Sequence, residues 1–187
     1  MLSTLLCDRD NSLLTIIDVQ PRLAAAMHPG DRERVLRNAG VLAEAATILG
    51  VPQLHTEQYP KGLGNTETEL ASRFPPGAHV VDKTCFSCRA SEPYREAAQH
   101  LHRQQLVLAG MESHVCVLQT ALEMHHDGYQ VFVAEDAVCS REPGNHANAL
   151  ARLRQAGVIV SNTESILFEW LRDARHAHFK AISALIK

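Results

Sequence analysis

The sequence predicts an α/β protein, a three-layer α/β/α sandwich whose six-stranded parallel sheet is covered by helices on both faces. Short apolar runs alternate along the chain with longer segments of helical periodicity, which is typical of parallel strands joined by helical crossovers. The first of these runs is β-branched and lacks a polar side, as expected for a strand buried on both faces. With 187 residues and no long linker, the chain fits one domain over residues 1–187.

The six predicted strands are short runs of strand-forming residues. In chain order they are LLTIIDV at 13–19, VPQLHTEQ at 51–58, AHVVDK at 78–83, QLVLAG at 105–110, QVFVAED at 130–136 and VIVSN at 158–162.

The predicted helices carry apolar residues at helical spacing, and three of them end at a glycine. They cover residues 31–50, 92–104, 114–127, 143–157 and 164–174, followed by an apolar-faced stretch at 178–187. Residues 59–76 are rich in glycine, proline and polar residues. We therefore expect a long loop there, over the strand ends, where a lid or substrate loop usually lies.

Composition excludes several functional classes. The net charge of -3 leaves no basic surplus for a phosphate backbone, so nucleic acid is not an expected partner. No apolar run reaches the roughly 18 residues of a membrane span. The N-terminal MLSTLLCDRD meets acidic residues before any cleavage-like site, which does not resemble a signal peptide. Five cysteines without framework spacing favour a reducing compartment, so the predicted location is the cytoplasm.

Three chemically active residues lie at the carboxyl ends of predicted strands. Asp18 ends the first strand, Lys83 ends the third, and Cys116 follows the fourth at the start of a helix. Parallel strands end at one edge of a sheet, where α/β proteins form their sites, so these side chains could meet in one cleft. The helix start would favour a thiolate, which predicts a lowered pKa for Cys116. A base, an ammonium and a thiol suit nucleophilic catalysis.

Each of these residues also has a purely structural interpretation. A cysteine at a helix start is often just a small buried hydrophobic residue, and this would be the preferred interpretation of Cys116 taken alone. Asp18 could cap the segment that follows it, and Lys83 could be an exposed lysine at a strand end.

Two further patterns suggest metal or redox chemistry. Cys85 and Cys88 form a C-x-x-C pair, but they follow a strand without the usual spacers, so Phe86 and Ser87 are expected to shape a substrate wall instead. None of the near pairs among the eleven histidines has the i, i+4 spacing with an adjacent acid that a helical zinc site uses. His114, two residues before Cys116, is the histidine expected to face the cleft.

Several motifs in order resemble those of the isochorismatase-like cysteine hydrolase superfamily, and specifically its isochorismatase domain-containing subgroup. They are IIDVQ, TEQYPKGLGNT, VVDKTCFSC, AGMESHVCVLQTALEM, VAEDAVCSR and HFKAISALIK. The likeness runs from about Leu13 to the C-terminus. It implies a Rossmann-like, isochorismatase-like hydrolase fold and commonly a homo-oligomer.

The resemblance also implies roles for individual residues. Asp18, Lys83 and Cys116 correspond to the catalytic aspartate, lysine and cysteine. A cis peptide would fall at Met111–Glu112, and the N–H groups of Glu112 and Cys116 would form the oxyanion hole. Five residues are expected to contact the substrate, because of the resemblance, because of their position near the cleft, or for both reasons. They are Gln20, Gln58, Tyr59, Phe86 and His114.

The sequence departs from some members of the superfamily. Metal-dependent relatives have an Asp-x-His pair after the second strand; here that region has His55 without the pattern, so we predict no catalytic metal and no cofactor. The cysteine favours acyl chemistry on an amide-like C–N bond. Glu112 replaces a small or hydroxyl residue, so the substrate cannot be taken from amidase relatives.

These observations predict a metal-independent cysteine hydrolase acting on a small amide, imide or ureide. The alternative is a non-catalytic small-molecule-binding or scaffold protein on the same fold. Nucleotide binding is poorly supported, because DVQPRLAAAM follows the first strand where a glycine-rich phosphate loop would stand. Homo-oligomerisation is also expected, since the C-terminal stretch has four apolar residues to bury: Phe179, Ile182, Leu185 and Ile186.

Overall fold

A computed structural model describes residues 5–187 and contains the predicted six-stranded parallel sheet. The strands are β1 (Ser12–Ile17), β2 (Gln53–Gln58), β3 (His79–Lys83), β4 (Gln105–Met111), β5 (Gln130–Cys139) and β6 (Ile159–Ser161). Their order across the sheet is β3-β2-β1-β4-β5-β6, and every neighbouring pair is parallel. The strands therefore follow β1 outwards, to β3 on one side of the sheet and to β6 on the other. Because all six are parallel, their carboxyl ends lie together along one edge of the sheet.

Helices cover both faces of this sheet, which confirms the three-layer sandwich. Their bounds are α1 (Pro21–Ala24), α2 (Pro29–Leu49), α3 (Pro60–Leu63), α4 (Thr68–Ala71), α5 (Glu92–His100), α6 (Leu118–His126), α7 (Pro143–Gln155), α8 (Thr163–Leu171) and α9 (Phe179–Leu185). One apolar core joins the sheet to α2, α8 and α9, and the other joins it to α5, α6 and α7. No helix in the described part of the chain is both long and apolar enough to cross a membrane.

The centre of the sheet brings the ends of β1, β2 and β4 together. Ile17, the last residue of β1, is in register with Thr56 on one side and with Gly110 on the other. Gly110 has φ 120°, and a Cβ there would overlap the carbonyl oxygen of Ile17. Only glycine allows this close approach, which places the segment after β4 beside Asp18.

Two segments differ from the sequence-based expectation. Residues 59–76 contain the short helices α3 and α4 instead of one long irregular loop. The apolar residues of the C-terminal stretch also have partners within the chain. Ile182 is fully buried, while Phe179, Leu185 and Ile186 pack against the core beside α2. These residues therefore provide no argument for an oligomer.

Candidate active site

Asp18 follows β1 directly and is completely buried. Its backbone is left-handed, with φ 52°, a conformation that Asp and Asn tolerate better than most residues. The Asp18 N–H donates to the carbonyl of Thr56 at 3.1 Å, and the Thr56 hydroxyl donates to Asp18 Oδ1 at 2.7 Å. The end of β2 therefore fixes both the backbone and the carboxylate of Asp18.

Lys83 is the last residue of β3, and its side chain is fully buried. Its Nζ donates to Asp18 Oδ2 at 2.6 Å, to Gln58 Oε1 at 2.8 Å, and to the carbonyls of Phe86 and Cys85 at 3.1 and 3.3 Å. Burial is the largest single effect and disfavours the ammonium, but the charges of Asp18, Cys88 and Cys116 and the hydrogen bond to Asp18 together outweigh it and raise the pKa of Lys83. The structural interpretation of Lys83 as an exposed lysine is therefore excluded.

Cys116 lies in a wide π-helical turn, Ser113–Val117, that joins β4 to α6. Its side chain hydrogen-bonds to the Asp18 carboxylate, and the residue is 5% exposed. Since Lys83 binds the other side of that carboxylate, Asp18 contacts both the ammonium and the sulfur. The structure thus brings together the three residues that the sequence analysis selected, from three separate segments.

The expectation of a lowered Cys116 pKa is wrong. Burial raises the pKa of this thiol, the negative charge of Asp18 and the hydrogen bond to Asp18 raise it further, and only Lys83 lowers it. The helix start alone gives the wrong direction, because burial of the sulfur and the carboxylate that lies against it both favour the protonated thiol. In this arrangement the thiol keeps its proton and donates it towards Asp18, so the carboxylate is a ready base for that proton.

The segment ahead of Cys116 has an unusual backbone. The Met111–Glu112 peptide bond is cis. The Glu112 carbonyl accepts from the N–H groups of Val115 at 3.1 Å and Val117 at 3.2 Å, which closes the wide turn. The first N–H groups of such a segment lack partners within the helix and can hold a negatively charged oxygen.

Two of the expected substrate-contacting residues are occupied by other contacts. Gln20 is completely buried; its amide nitrogen donates to the carbonyls of Gln58 and Gly64, and its oxygen accepts from the Gln58 N–H. The side chain of Gln58 accepts from Lys83 and donates to the carbonyl of Thr84. The structure thus places both glutamines as supports for the ends of β2 and β3.

The other expected contacts lie closer to the surface. Tyr59 and Phe86 are 55% and 54% exposed, and His114 is partly buried with its Nδ1 hydrogen-bonded to the Ser140 hydroxyl at 2.9 Å. A groove of about 570 Å³ beside the end of β3 is lined in part by Tyr59 and Cys85. Of the expected substrate-contacting residues, Tyr59 is the one that lines this groove, which also reaches Lys83.

In the part of the chain that the structure describes, the C-x-x-C pair forms no disulfide and the histidines belong to no metal-ligand group. All five cysteines are free, and Cys88 is buried with its sulfur 3.9 Å from the Thr56 hydroxyl. Burial is the main cause that raises the pKa of Cys88 to about 12. Among residues 5–187, no three His, Cys, Asp or Glu side chains are grouped so that they could hold a metal ion.

Sequence reasoning missed two residues that position the site. Thr56 holds the Asp18 carboxylate, and it could have been found, because the strand order and register place it beside residue 17. Arg141 binds the buried Glu112 carboxylate through its backbone N–H at 3.1 Å and its Nε at 3.0 Å. Nothing in the spacing of residues 112 and 141 indicates that contact.

Comparison with known proteins identifies the family of this chain. The isochorismatase domain family model matches residues 12–165. The chain belongs to the isochorismatase family. This isochorismatase-family chain is 37% identical to the mouse isochorismatase domain-containing protein 2A, in an alignment covering 95% of this chain and 84% of the mouse protein.

Solved structures share the fold of this isochorismatase-family protein. A Caenorhabditis elegans protein described as MAR1 ribonuclease superposes with a TM-score of 0.91 at 32% identity, covering 97% of this chain and 92% of that one. The YcaC protein of Escherichia coli, described as an octameric hydrolase of unknown specificity, has a TM-score of 0.89 at 23% identity, covering 100% and 91% of the two chains.

Proposed function

We propose that this isochorismatase-family protein is a metal-independent cysteine hydrolase acting on a small amide, imide or ureide. The observation that carries the proposal is the contact of Asp18 with both Lys83 and Cys116 inside a buried cluster. A carboxylate that binds a thiol on one side and an ammonium on the other is arranged to take the thiol proton and remain fixed in place.

The first half of the reaction forms a thioester. Asp18 accepts the proton of Cys116 while the sulfur attacks the substrate carbonyl carbon, and the carbonyl π electrons move to the oxygen. The N–H groups of Glu112 and Cys116 hold this oxyanion. When the oxyanion collapses, the C–N bond breaks, and Asp18 delivers its proton to the departing amine or ammonia.

The second half releases the acid. Asp18, again a carboxylate, takes a proton from a water molecule whose oxygen attacks the thioester carbon. The C–S bond then breaks, and the sulfur recovers the proton from Asp18. Throughout both halves the ammonium of Lys83 compensates the charge that moves between Asp18 and Cys116.

The surroundings of the sulfur support the proposed substrate class. Cys116 is 5% exposed, so a reactive carbon has to reach it through a narrow approach. This favours a small molecule over a polymer. The presence of the cysteine itself favours an acyl intermediate and therefore a C–N bond at an sp² carbon.

The proposal is tested with a panel of small amides, imides and ureides, measuring release of amine or ammonia. We expect turnover of some member by the wild type and none by Cys116→Ala. A matched control is Cys7→Ala, which removes a buried thiol from the apolar core that does not contain Cys116 and should keep turnover. Turnover by Cys116→Ala would refute the mechanism.

Measurements on the wild type and on Cys116→Ala also distinguish the proposed function from two competing ones. The C. elegans neighbour described as a ribonuclease makes RNA a worthwhile substrate to include, although the net charge of -3 provides no basic surplus for it. Cleavage of an oligoribonucleotide that depends on Cys116 would favour a nuclease. Binding of a small molecule without any turnover would favour the non-catalytic alternative.

We also propose that the protein is a cytoplasmic homo-oligomer. The description of YcaC as an octamer supports the oligomer, and five free cysteines support a reducing compartment. Sedimentation velocity at micromolar concentration tests the assembly. A species with the 20.6 kDa mass of one chain would contradict it.

A further inference from the structure

Residues 112–114, just ahead of Cys116 in the sequence, all hydrogen-bond to one short segment, residues 140–146. The Glu112 carboxylate accepts from Arg141, the Ser113 hydroxyl lies 2.9 Å from His146 Nδ1, and His114 Nδ1 lies 2.9 Å from the Ser140 hydroxyl. The segment connects β5 to the first turn of α7. The wide turn that carries Cys116 is therefore held from outside as well as by its own backbone.

The Glu112 contact is the most constraining of the three. Its side chain is 6% exposed, and one oxygen accepts from both the backbone N–H and the Nε of Arg141. Burying a carboxylate is costly unless it is charge-paired and hydrogen-bonded, so this side chain has little freedom to leave its partner. Arg141 is more than half exposed, which keeps the guanidinium in water while it fixes a buried group.

These contacts fix the orientation of the Glu112 backbone. The same residue binds Arg141 through its side chain and binds Val115 and Val117 through its carbonyl. With the side chain and the carbonyl both fixed, the rotation of the residue is fixed, and with it the direction of its N–H. A hole that stabilises an oxyanion depends on donors held in place before the reaction.

We propose that the Glu112 carboxylate, clamped by Arg141, is a positioning residue that aims the Glu112 N–H at the oxyanion. This inference rests on the proposed cysteine hydrolase mechanism. It gives a role to the residue that departs from the small or hydroxyl residue of the wider superfamily. It also gives a role to Arg141, whose contact no sequence pattern indicates.

The test compares two reagents that modify Cys116 by different routes. With p-nitrophenyl acetate the sulfur attacks a carbonyl carbon, an oxyanion forms, and p-nitrophenolate leaves. With iodoacetamide the sulfur displaces iodide, and no charge develops on the carbonyl oxygen. The ratio of the two rate constants, corrected with Cys116→Ala, therefore reports on the oxyanion hole separately from thiol reactivity and from folding.

We expect Glu112→Ala to slow acylation about tenfold while alkylation stays within about twofold. Arg141→Ala, a change at a half-exposed side chain that should not prevent folding, should slow acylation about threefold, since the backbone N–H of residue 141 still binds Glu112. Glu112→Gln keeps an acceptor oxygen and should restore most of the lost rate. Arg175→Ala removes an exposed arginine–carboxylate pair with Asp173, in the segment between α8 and α9, and should change neither rate.

The outcomes separate this inference from the proposed function. If acylation and alkylation fall by the same factor in Glu112→Ala and Arg141→Ala, or if neither falls, the positioning role is overturned while the cysteine mechanism stands. If wild-type Cys116 reacts with p-nitrophenyl acetate no faster than the Cys116→Ala background, the proposed function itself fails, and the inference fails with it.

Discussion

At Asp18 one side chain has two opposite effects on the same sulfur. It accepts the thiol proton during the proposed reaction, yet its charge helps to raise the pKa of Cys116 in the resting protein. Asp18→Asn is a suitable change, because Asn also tolerates the left-handed backbone at this position.

We therefore expect Asp18→Asn to lower turnover about a thousandfold, because the base is lost. At pH 7 the same change should speed iodoacetamide alkylation of Cys116, by about threefold for each unit of pKa lowered, since loss of the charge favours the thiolate. Parallel rate measurements on the two reactions test this. A decrease in both rates would show that Asp18 does not raise the thiol pKa.

Lys83 and Asp18 form a fully buried ion pair at 2.6 Å. Lys83→Met keeps the length of the side chain and leaves the carboxylate without its partner, so the free energy of unfolding should fall by about 3–5 kcal/mol. Urea denaturation measures this loss. The double variant Asp18→Asn/Lys83→Met should recover part of it, and a double variant less stable than Lys83→Met would contradict the pairing argument.

The sequence revealed the chemistry of single residues better than their surroundings. Asp18, Lys83 and Cys116 could be predicted to meet, because strand ends in a parallel sheet lie along one edge. The direction of the Cys116 pKa shift could not, because it depends on the contact between the thiol and Asp18 and on burial. The contact between Glu112 and Arg141 was equally hidden, because nothing in the spacing of positions 112 and 141 indicates that these two side chains pair.

At the scale of secondary structure, the junction of β1 and β4 depends on Gly110. We expect Gly110→Ala to lower the free energy of unfolding by about 3 kcal/mol, because a Cβ overlaps the Ile17 carbonyl and φ 120° is unfavourable for alanine. Gly144→Ala is the matched control: a Cβ there meets open space, so stability should change by less than about 1 kcal/mol. Equal effects of the two changes in urea denaturation would contradict this explanation.

Some secondary-structure elements can be predicted from the sequence pattern and others cannot. Alternating apolar runs and periodic helices were sufficient to find all six strands and the main helices. The short helices α3 and α4 escaped, because single turns rich in glycine, proline and polar residues have no periodicity of their own. The sequence predicts ordinary helix at the wide turn before α6, because its five residues are too few to show a π-helical period.

For the whole molecule, His55 makes stability depend on pH. The residue is 1% exposed, its ring stacks on Phe74 at 3.5 Å, and neither ring nitrogen has a hydrogen-bond partner among the described residues. Burial, with a smaller contribution from His79, lowers the pKa of His55 to about 4. The unfolded chain therefore binds more protons than the folded one between pH 4 and the usual histidine value of about 6.5.

The stability that depends on a neutral His55 is therefore complete above about pH 6.5 and is lost as the pH falls towards 4. We expect the free energy of unfolding to drop by about 2 kcal/mol through His55 between pH 7 and pH 5. Urea titrations at the two pH values measure the drop. In His55→Phe, which keeps a stacked ring without a titrating group, the drop should be smaller by that amount; an equal drop in both proteins would assign the acid sensitivity elsewhere.

The enclosure of Lys83 has a consequence for the selection of substrates. Its nitrogen has three protons and four oxygen neighbours, all supplied by the protein. No proton of this cation remains for a hydrogen bond to an incoming molecule, and its charge is already paired with the Asp18 carboxylate. A carboxylate or phosphate on the substrate therefore has to find its hydrogen-bond donors elsewhere, and a neutral reactant loses no contact with Lys83 by lacking such a group.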